Sequence, residues 1–201
     1  MKEAVLASAN EGKLAELSRL LASVCIAMRP MTTFGMASPE EDGTTFIENA
    51  LIKARRASSL AGLPAIADDS GLVVPALNGA PGLLSSRYSG ENATAEDNNK
   101  KLIAALDGIE DRRAHFYCAL VFIEREDDPA PIFATGAWSG MIVDTPRGKQ
   151  GFGYDPHFFV PELNATAAEL ALAVKNAHSH RGIAAKRLAA ALQRLMHPDT
   201  P

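Results

Sequence analysis

The chain has 201 residues, of which 47% are hydrophobic and 22% are charged, enough to build one globular domain around a buried core. Lys and Arg together number 20 and Asp and Glu 24, and the net charge of −4 gives no overall attraction to DNA or RNA. Cys25 and Cys118 are too few and too far apart for a disulfide framework or a CxxC zinc site. No apolar run is long enough to span a bilayer, and no signal-peptide core follows the first residues. We therefore expect a soluble, cytoplasmic protein that binds neither membranes nor nucleic acid polymers.

The start of the chain predicts a strand, a tight loop and a helix. The apolar run 4–7 is typical of a short strand, and leucines then recur at helical spacing from Leu14 to Leu21. A second strand is expected at 24–28.

The next helix carries its own start and stop signals. Thr45 and Glu48 have the spacing of a capping box, in which a threonine N-cap is followed by a glutamate at the third helical position. This helix should run to about Leu60 and stop at Gly62.

A short buried strand is predicted at 65–67, and it delivers the segment Asp68-Asp69-Ser70-Gly71 at the point where the strand meets a turn. Apolar character continues beyond that segment at 72–74.

The later elements predict a mixed sheet with further helices. An amphipathic helix is expected at 95–106, and two long β-rich runs at 116–123 and 132–143 predict an antiparallel hairpin. A C-terminal helix packed on the core is predicted at 181–196. We infer one α/β domain spanning residues 1–201.

The first candidate site is a loop of small and polar residues between the first strand and helix. It consists of Ser8, Ala9, Asn10, Glu11, Gly12 and Lys13. Its backbone N–H groups and the positive end of the helix dipole favour an anion, and Lys13 adds a positive charge for a phosphate. It is not a P-loop, because Ala7 stands where the first glycine is needed and Leu14 follows the lysine. Alone, the segment also fits an ordinary helix N-cap with a solvated lysine.

The second candidate site is a set of three acids, Glu41, Asp68 and Asp69, which offer hard oxygen ligands at a loop and at a strand end. Such a set suits Mg²⁺, which takes one or two carboxylates, keeps waters and is completed by substrate phosphates. In extended geometry Asp68 and Asp69 point to opposite faces, so only one of them addresses a given metal directly. Asp-Asp-Ser-Gly is also good turn chemistry, and the residues alone leave that alternative open.

The helix between these acids carries Asn49, Lys53 and Arg56 on one face. That spacing is typical of a solvated stripe. Lys53 is nevertheless a candidate phosphate ligand, at a position that looks exposed in the absence of a ligand.

The third candidate site is the segment Gly151-Phe152-Gly153-Tyr154-Asp155-Pro156. Its glycines let the backbone approach a ligand closely, and Phe152 offers an aromatic face that suits a nucleobase. Aromatic residues between glycines also fill ordinary cores, so this signal is weak by itself.

The fourth candidate site lies at the start of the last helix and combines Lys175 with Ser179, His180 and Arg181. Ser179 fits a helix N-cap, and His180 and Arg181 supply hydrogen-bond donors beside it. A routine cap with exposed basic residues is the alternative. His178 and His180 are a poor zinc site, because no third ligand lies nearby in the sequence.

Together, these segments resemble the inosine triphosphate pyrophosphatase family. The likeness covers nearly the whole chain, and its motifs are highly specific in this order and spacing although each is weak alone. The segments that carry it are 8–13, 45–50, 67–72, 82–90, 151–156 and 179–182. Members of this family hydrolyse ITP, dITP and XTP to a nucleoside monophosphate and pyrophosphate. The resemblance therefore implies a nucleoside triphosphate diphosphatase that removes nonstandard purine nucleotides from the nucleotide pool.

The resemblance also implies a fold and the roles of particular residues. The fold is an elongated mixed β-sheet flanked by helices, with two lobes around a central nucleotide cleft, usually in a homodimer. Glu41 and Asp69 would hold Mg²⁺, and Asp69 would be the proton acceptor in metal-assisted attack of water on the α-phosphorus. The residues that would contact substrate are Ser8, Ala9, Asn10, Glu11, Gly12, Lys13, Ser70, Phe152, Gly153, Tyr154, Asp155, Lys175, His180 and Arg181. Lys53 is added to them because a triphosphate needs concentrated positive charge.

Two other functions remain compatible with these residues. One is a nucleotide pyrophosphatase of similar architecture that prefers pyrimidines. The other is a nucleotide-binding regulator without catalysis, in which the acids only form a turn. Metal-dependent release of pyrophosphate, measured over a panel of substrates, distinguishes the three.

Overall fold

The computed structural model describes residues 2–8, 11–22, 24, 26–37 and 39–196. These residues form seven strands and five α-helices. In chain order the elements are β1 (Lys2–Ala7), α1 (Glu11–Leu20), β2 (Ile26–Pro30), α2 (Phe46–Ala61), β3 (Ala65–Val73), α3 (Ala95–Ala105), β4 (Arg113–Ile123), β5 (Ile132–Ile142), β6 (Phe158–Val160), β7 (Ala165–Thr166), α4 (Leu172–His178) and α5 (His180–Met196). Ala9, Asn10 and Cys25 lie outside the described residues. None of the helices in the described part of the chain has both the length and the apolar character needed to cross a membrane.

The strands form one mixed sheet in the order β2-β1-β3-β4-β5-β6-β7. Strand β1 pairs in parallel with β2 and β3, whereas β6 pairs antiparallel with β5 and β7. The predicted mixed sheet is thus confirmed, and the two strands expected at 116–123 and 132–143 are neighbours in it. Strand β2 begins at Ile26 rather than at 24.

Helix α2 forms as its sequence predicts. Thr45 Oγ1 accepts a hydrogen bond from the backbone N–H of Glu48, and the Glu48 side chain accepts one from the backbone N–H of Thr45. The helix ends at Gly62, whose φ of +64° is the left-handed conformation that glycine adopts without strain. The capping box therefore fixes the residue at which α2 starts, and so the position of every α2 side chain along the helix.

The segment Asp68-Asp69-Ser70-Gly71 does not form the turn that its composition also allowed. Asp68 and Asp69 lie in the middle of β3, which continues without interruption from Ala65 to Val73. Parallel pairing of β1 with the start of β3, together with burial of the apolar residues on either side, outweighs the local turn preference of Asp-Asp-Ser-Gly.

The chain divides into two compact units. The first comprises the residues up to Asp69, Cys118–Gly136 and the residues from Arg181 onward, and the second comprises Ser70–Tyr117 and Ala137–His180. Strands β3, β4 and β5 each pass from one unit into the other along the chain.

In the first unit, helices α1 and α5 bury apolar side chains against the sheet. Leu17, Leu188 and Leu192 are essentially inaccessible to solvent, which confirms the predicted C-terminal helix, although Leu195 is 47% exposed. In the second unit, Phe158 lies at the centre of an aromatic cluster.

Candidate functional site

The first unit contains a buried charged cluster built on β3. Asp68 is only 1% exposed, and its Oδ2 lies 2.9 Å from Lys13 Nζ and 3.9 Å from Arg181 Nε. Burial alone would raise the pKa of Asp68, but the positive charges of Lys13, Arg181 and Lys53 outweigh it and hold that pKa well below its usual range. Asp68 is therefore ionised at neutral pH, and its carboxylate forms an ion pair with Lys13, the last residue of the predicted anion loop.

Asp69 faces a different set of partners. Lys53 Nζ, on α2, lies 2.9 Å from Asp69 Oδ1 and 3.0 Å from Glu41 Oε1. Burial would lower the pKa of Lys53, but Asp68, Asp69 and Glu41 together raise it, so the side chain is an ammonium at neutral pH. Burial raises the pKa of Asp69 despite the opposing pull of Lys53. Asp69 thus has the character of a proton acceptor with a raised affinity for protons.

The different partners of the two aspartates follow from strand geometry. Successive side chains of a strand point to opposite faces, so Asp68 meets α1 and α5 residues while Asp69 meets α2. The prediction that only one of them can address a given metal is consistent with this arrangement.

Asn49 holds the loop that carries Glu41 against α2. Its Oδ1 accepts a hydrogen bond of 2.9 Å from the backbone N–H of Gly43, and a Cβ at Gly43 would lie only 2.6 Å from that oxygen. Asn49 Nδ2 also lies 3.5 Å from Asp69 Oδ2, at the limit of a hydrogen bond. Glycine at 43 is therefore required for the close approach that brings Glu41 to Lys53.

These contacts correct the solvated-stripe interpretation of α2. Asn49 is 1% and Lys53 6% exposed, whereas Arg56 is exposed as that pattern predicts. The expectation that Lys53 lies at an exposed position is wrong, because α2 packs this face against β3 and uses the carboxylates to neutralise the buried ammonium.

Glu16 is a member of the cluster that sequence reasoning missed. Its Oε2 lies 2.6 Å from Arg181 Nη1, and both side chains are buried. Within the described part of the chain, Glu16 Oε1 has no hydrogen-bond partner. The sequence signal is an acid between the apolar positions Leu14 and Leu17 of α1, three residues after Lys13.

The second unit organises the glycine-rich segment around Asp155. Asp155 Oδ2 accepts a hydrogen bond of 2.8 Å from the Phe152 backbone N–H and one of 2.5 Å from Lys175 Nζ. Lys175 Nζ also lies 5.1 Å from the centre of the Phe152 ring. A Cβ at Gly151 would collide with the Asp155 carboxylate, which explains the glycine there. Phe152 itself is 42% exposed, so part of its side chain is accessible to solvent.

Two anchors fix the rest of this loop. Asn99 Nδ2, on α3, donates a hydrogen bond of 2.9 Å to the Gly153 carbonyl, and Tyr154 donates one of 2.8 Å to the Ser85 carbonyl. A cavity of about 800 Å³ is lined by the exposed side of this loop and by residues of α3, Asn99 among them. These two hydrogen bonds therefore hold the loop in place, while Phe152 and Gly153 line the cavity.

The remaining predicted residues are placed as follows. Lys175 lies on α4 rather than at the start of the last helix, and Ser179 separates α4 from α5. The His180 ring is buried and stacks on Phe116 at 4.8 Å, in the second unit. Ser70 is half-buried, and Ser8 is buried at the end of β1.

The cluster fits a divalent cation that brings other ligands with it. Within the described ranges, no three His, Cys, Asp or Glu side chains come together as a metal site. Glu41 and Asp69 nevertheless both contact one cation, the Lys53 ammonium, so the two carboxylates face the same point. Two carboxylates are what Mg²⁺ commonly takes when phosphates complete its shell.

The fold and the charged cluster define an α/β protein whose buried carboxylates are balanced by lysines and an arginine. Residues 4–191 match the Ham1 family. The dITP/XTP pyrophosphatase of Nitrosomonas europaea is 52% identical over 188 residues, covering 94% of this chain and 93% of that protein. That of Burkholderia pseudomallei is 53% identical over 191 residues, covering 94% and 92%.

A solved structure agrees with these relatives. That of a HAM1 protein from Coxiella burnetii has a TM-score of 0.91 and 51% sequence identity, and it covers 96% of this chain and 100% of that one. The chain therefore belongs to the Ham1 family, and the resemblance seen in its motifs is confirmed.

Proposed function

We propose that this protein is a nucleoside triphosphate diphosphatase that hydrolyses ITP, dITP and XTP to the monophosphate and pyrophosphate. The observation that carries the proposal is the pair Asp69 and Glu41 sharing the buried Lys53 ammonium, in a chain about half identical to proteins named dITP/XTP pyrophosphatase. A buried arrangement of acids and bases of this kind is costly to fold and is typical of a functional site.

Glu41 and Asp69 are the proposed ligands of Mg²⁺. When bound there, the ion would neutralise phosphate charge and make a nearby water more acidic. Asp69 is the proposed proton acceptor, because burial raises the pKa of its carboxyl while its Oδ1 lies 2.9 Å from the Lys53 ammonium. The water it deprotonates attacks the α-phosphorus, and pyrophosphate leaves.

Positive charge near the acids is the proposed recognition element for the triphosphate. Lys13 and Lys53 are the cations of the first unit assigned to it, with the backbone of residues 8–13 at the start of α1. Arg181, which pairs with Glu16 and lies near Asp68, is also proposed to contact substrate.

In the second unit, the proposed substrate contacts come from the glycine-rich loop and its neighbours. Phe152 is assigned to stack on the base, since its ring is exposed on a loop that Asp155 and Lys175 hold in place. The other residues assigned to substrate here are Ser70, Gly153, Tyr154, Asp155, Lys175 and His180.

One experiment tests the function. Pyrophosphate and orthophosphate are measured from ITP, dITP, XTP, GTP, ATP and pyrimidine triphosphates, with and without Mg²⁺, in ¹⁸O-labelled water. We expect Mg²⁺-dependent release of pyrophosphate from ITP, dITP and XTP, with the label in the monophosphate. Label in pyrophosphate would mean attack at the β-phosphorus, and orthophosphate as first product would reject the proposal. A preference for pyrimidines, or binding without hydrolysis, would establish one of the two rival functions.

We further propose that residues 1–201 act as one catalytic domain, because the family match extends through both units. A homodimer acting on the cytoplasmic nucleotide pool is the assembly and location that the family resemblance favours. Light scattering coupled to size-exclusion chromatography gives the mass, and a monomer at micromolar concentration would contradict the dimer.

A further inference from the structure

The site proposed for the metal already contains a cation. Lys53 Nζ lies within 3.0 Å of Glu41 Oε1 and 2.9 Å of Asp69 Oδ1, the two oxygens proposed as ligands. Its side chain is 7% exposed and belongs to the buried face of α2. The ammonium therefore neutralises the same two carboxylates that a divalent ion would need.

A divalent ion that arrives alone meets an opposing charge. It has to displace a buried ammonium from both carboxylates that it contacts, which is unfavourable. A triphosphate removes this obstacle, because its oxygens accept charge-assisted hydrogen bonds from a displaced lysine and complete the shell of the ion.

We propose that Lys53 holds the cation position in the free protein, and that the divalent ion binds tightly only when the triphosphate binds with it. When the nucleotide binds, Lys53 exchanges its two carboxylate contacts for contacts with phosphate oxygens. Glu41 and Asp69 then become available to bind the divalent ion. This inference rests on the proposed function and adds the order of binding to it.

The test measures Mn²⁺ binding directly, by the loss of the free-ion signal in electron paramagnetic resonance, without turnover. Lys53→Met removes the ammonium and nearly keeps the side-chain volume. Lys13→Met is the matched control, because it also removes one lysine charge from the first unit. The partner of Lys13 is Asp68, which is not a proposed metal ligand. Lys53→Gln is a second neutral variant, and urea unfolding of each confirms that it is folded.

Free wild-type protein should bind Mn²⁺ weakly, and Lys53→Met about tenfold more tightly, the ratio expected if the ammonium lies between the carboxylates in about nine of ten molecules. Lys13→Met should change the affinity less than about threefold, because its charge acts only at a distance. Adding an α,β-methylene analogue of ITP should raise the affinity of wild type at least to that of free Lys53→Met, after the Mn²⁺ that the analogue binds without protein has been measured separately and subtracted.

Equal Mn²⁺ affinity of free wild type and Lys53→Met, or an equal gain in Lys13→Met, overturns the proposed order. If wild type also releases pyrophosphate normally, the proposed function survives that failure. If no protein binds Mn²⁺ even with the analogue, and none releases pyrophosphate, the proposed function fails as well.

Discussion

Replacing Arg181 by methionine should destabilise the protein far more than replacing an exposed arginine. Arg181 is 2% exposed, and the change leaves Glu16 as a buried carboxylate whose partner at 2.6 Å is gone. Breaking a buried ion pair on one side typically costs about 3 to 5 kcal/mol. The loss of a second cation near Asp68 places the expected cost toward the upper end. For a chain of this length, that cost corresponds to a fall in Tm of about 6 to 20 °C.

The assay is urea unfolding followed by far-ultraviolet circular dichroism. Arg113→Met is the control, because its pair with Asp111 lies on the surface, where the side chain of Arg113 is 77% exposed and ion pairs contribute about 1 kcal/mol or less. Adding Glu16→Leu to Arg181→Met should recover much of the loss, since no carboxylate is then left unpaired at that position. Equal costs for the two single variants, or no recovery in the double variant, would refute this reasoning.

Three further changes test the catalytic role of Asp69, the anchoring of the glycine-rich loop and the pH dependence of stability. Asp69→Asn should lower kcat at least about a hundredfold while equilibrium binding of ITP persists, because the amide keeps the volume but cannot accept the proton; near wild-type kcat at saturating Mg²⁺ would mean that its role is misassigned. Asn99→Leu removes the hydrogen bond to the Gly153 carbonyl and should raise KM for ITP with little change in kcat; an unchanged KM would separate that anchor from substrate binding. Asp128→Asn should lower the free energy of unfolding by about 1.5 to 3 kcal/mol at pH 7, because the carboxylate accepts hydrogen bonds from two backbone N–H groups of its own loop. The matched control is Asp127→Asn, at an exposed position of the same loop. Those bonds lower the pKa of Asp128, so its contribution is complete above the unfolded pKa of about 3.9 and disappears as the pH falls through the folded value. Urea unfolding at pH 7, 5 and 3 measures this, and a wild-type advantage that is the same at pH 3 and pH 7 would contradict it.

Features that depend on a few neighbouring residues were readable from the sequence. The capping box of Thr45 and Glu48, and the end of the same helix at Gly62, lie where their spacing predicts. Such signals act over one turn of helix, so no knowledge of distant residues is needed to interpret them.

The motif positions were readable too, although their surroundings were not. Resemblance singled out Asp69 and Arg181 as functional residues, and the need for positive charge near a triphosphate added Lys53. The pattern around Lys53 nevertheless suggested exposure. The structure buries it, because the charges that neutralise it come from a loop and a strand remote in the sequence.

The sequence by itself determined the alternation of strands and helices and the family to which the chain belongs, since both are written in local periodicity and ordered motifs. Only the tertiary structure decided that Asp68 and Asp69 lie within a strand, that they face different cations, and that Glu16 pairs with Arg181. The physical reason is that burial of a charge is favourable only when an opposite charge is brought to it, and those partners meet only when the sheet and its helices pack.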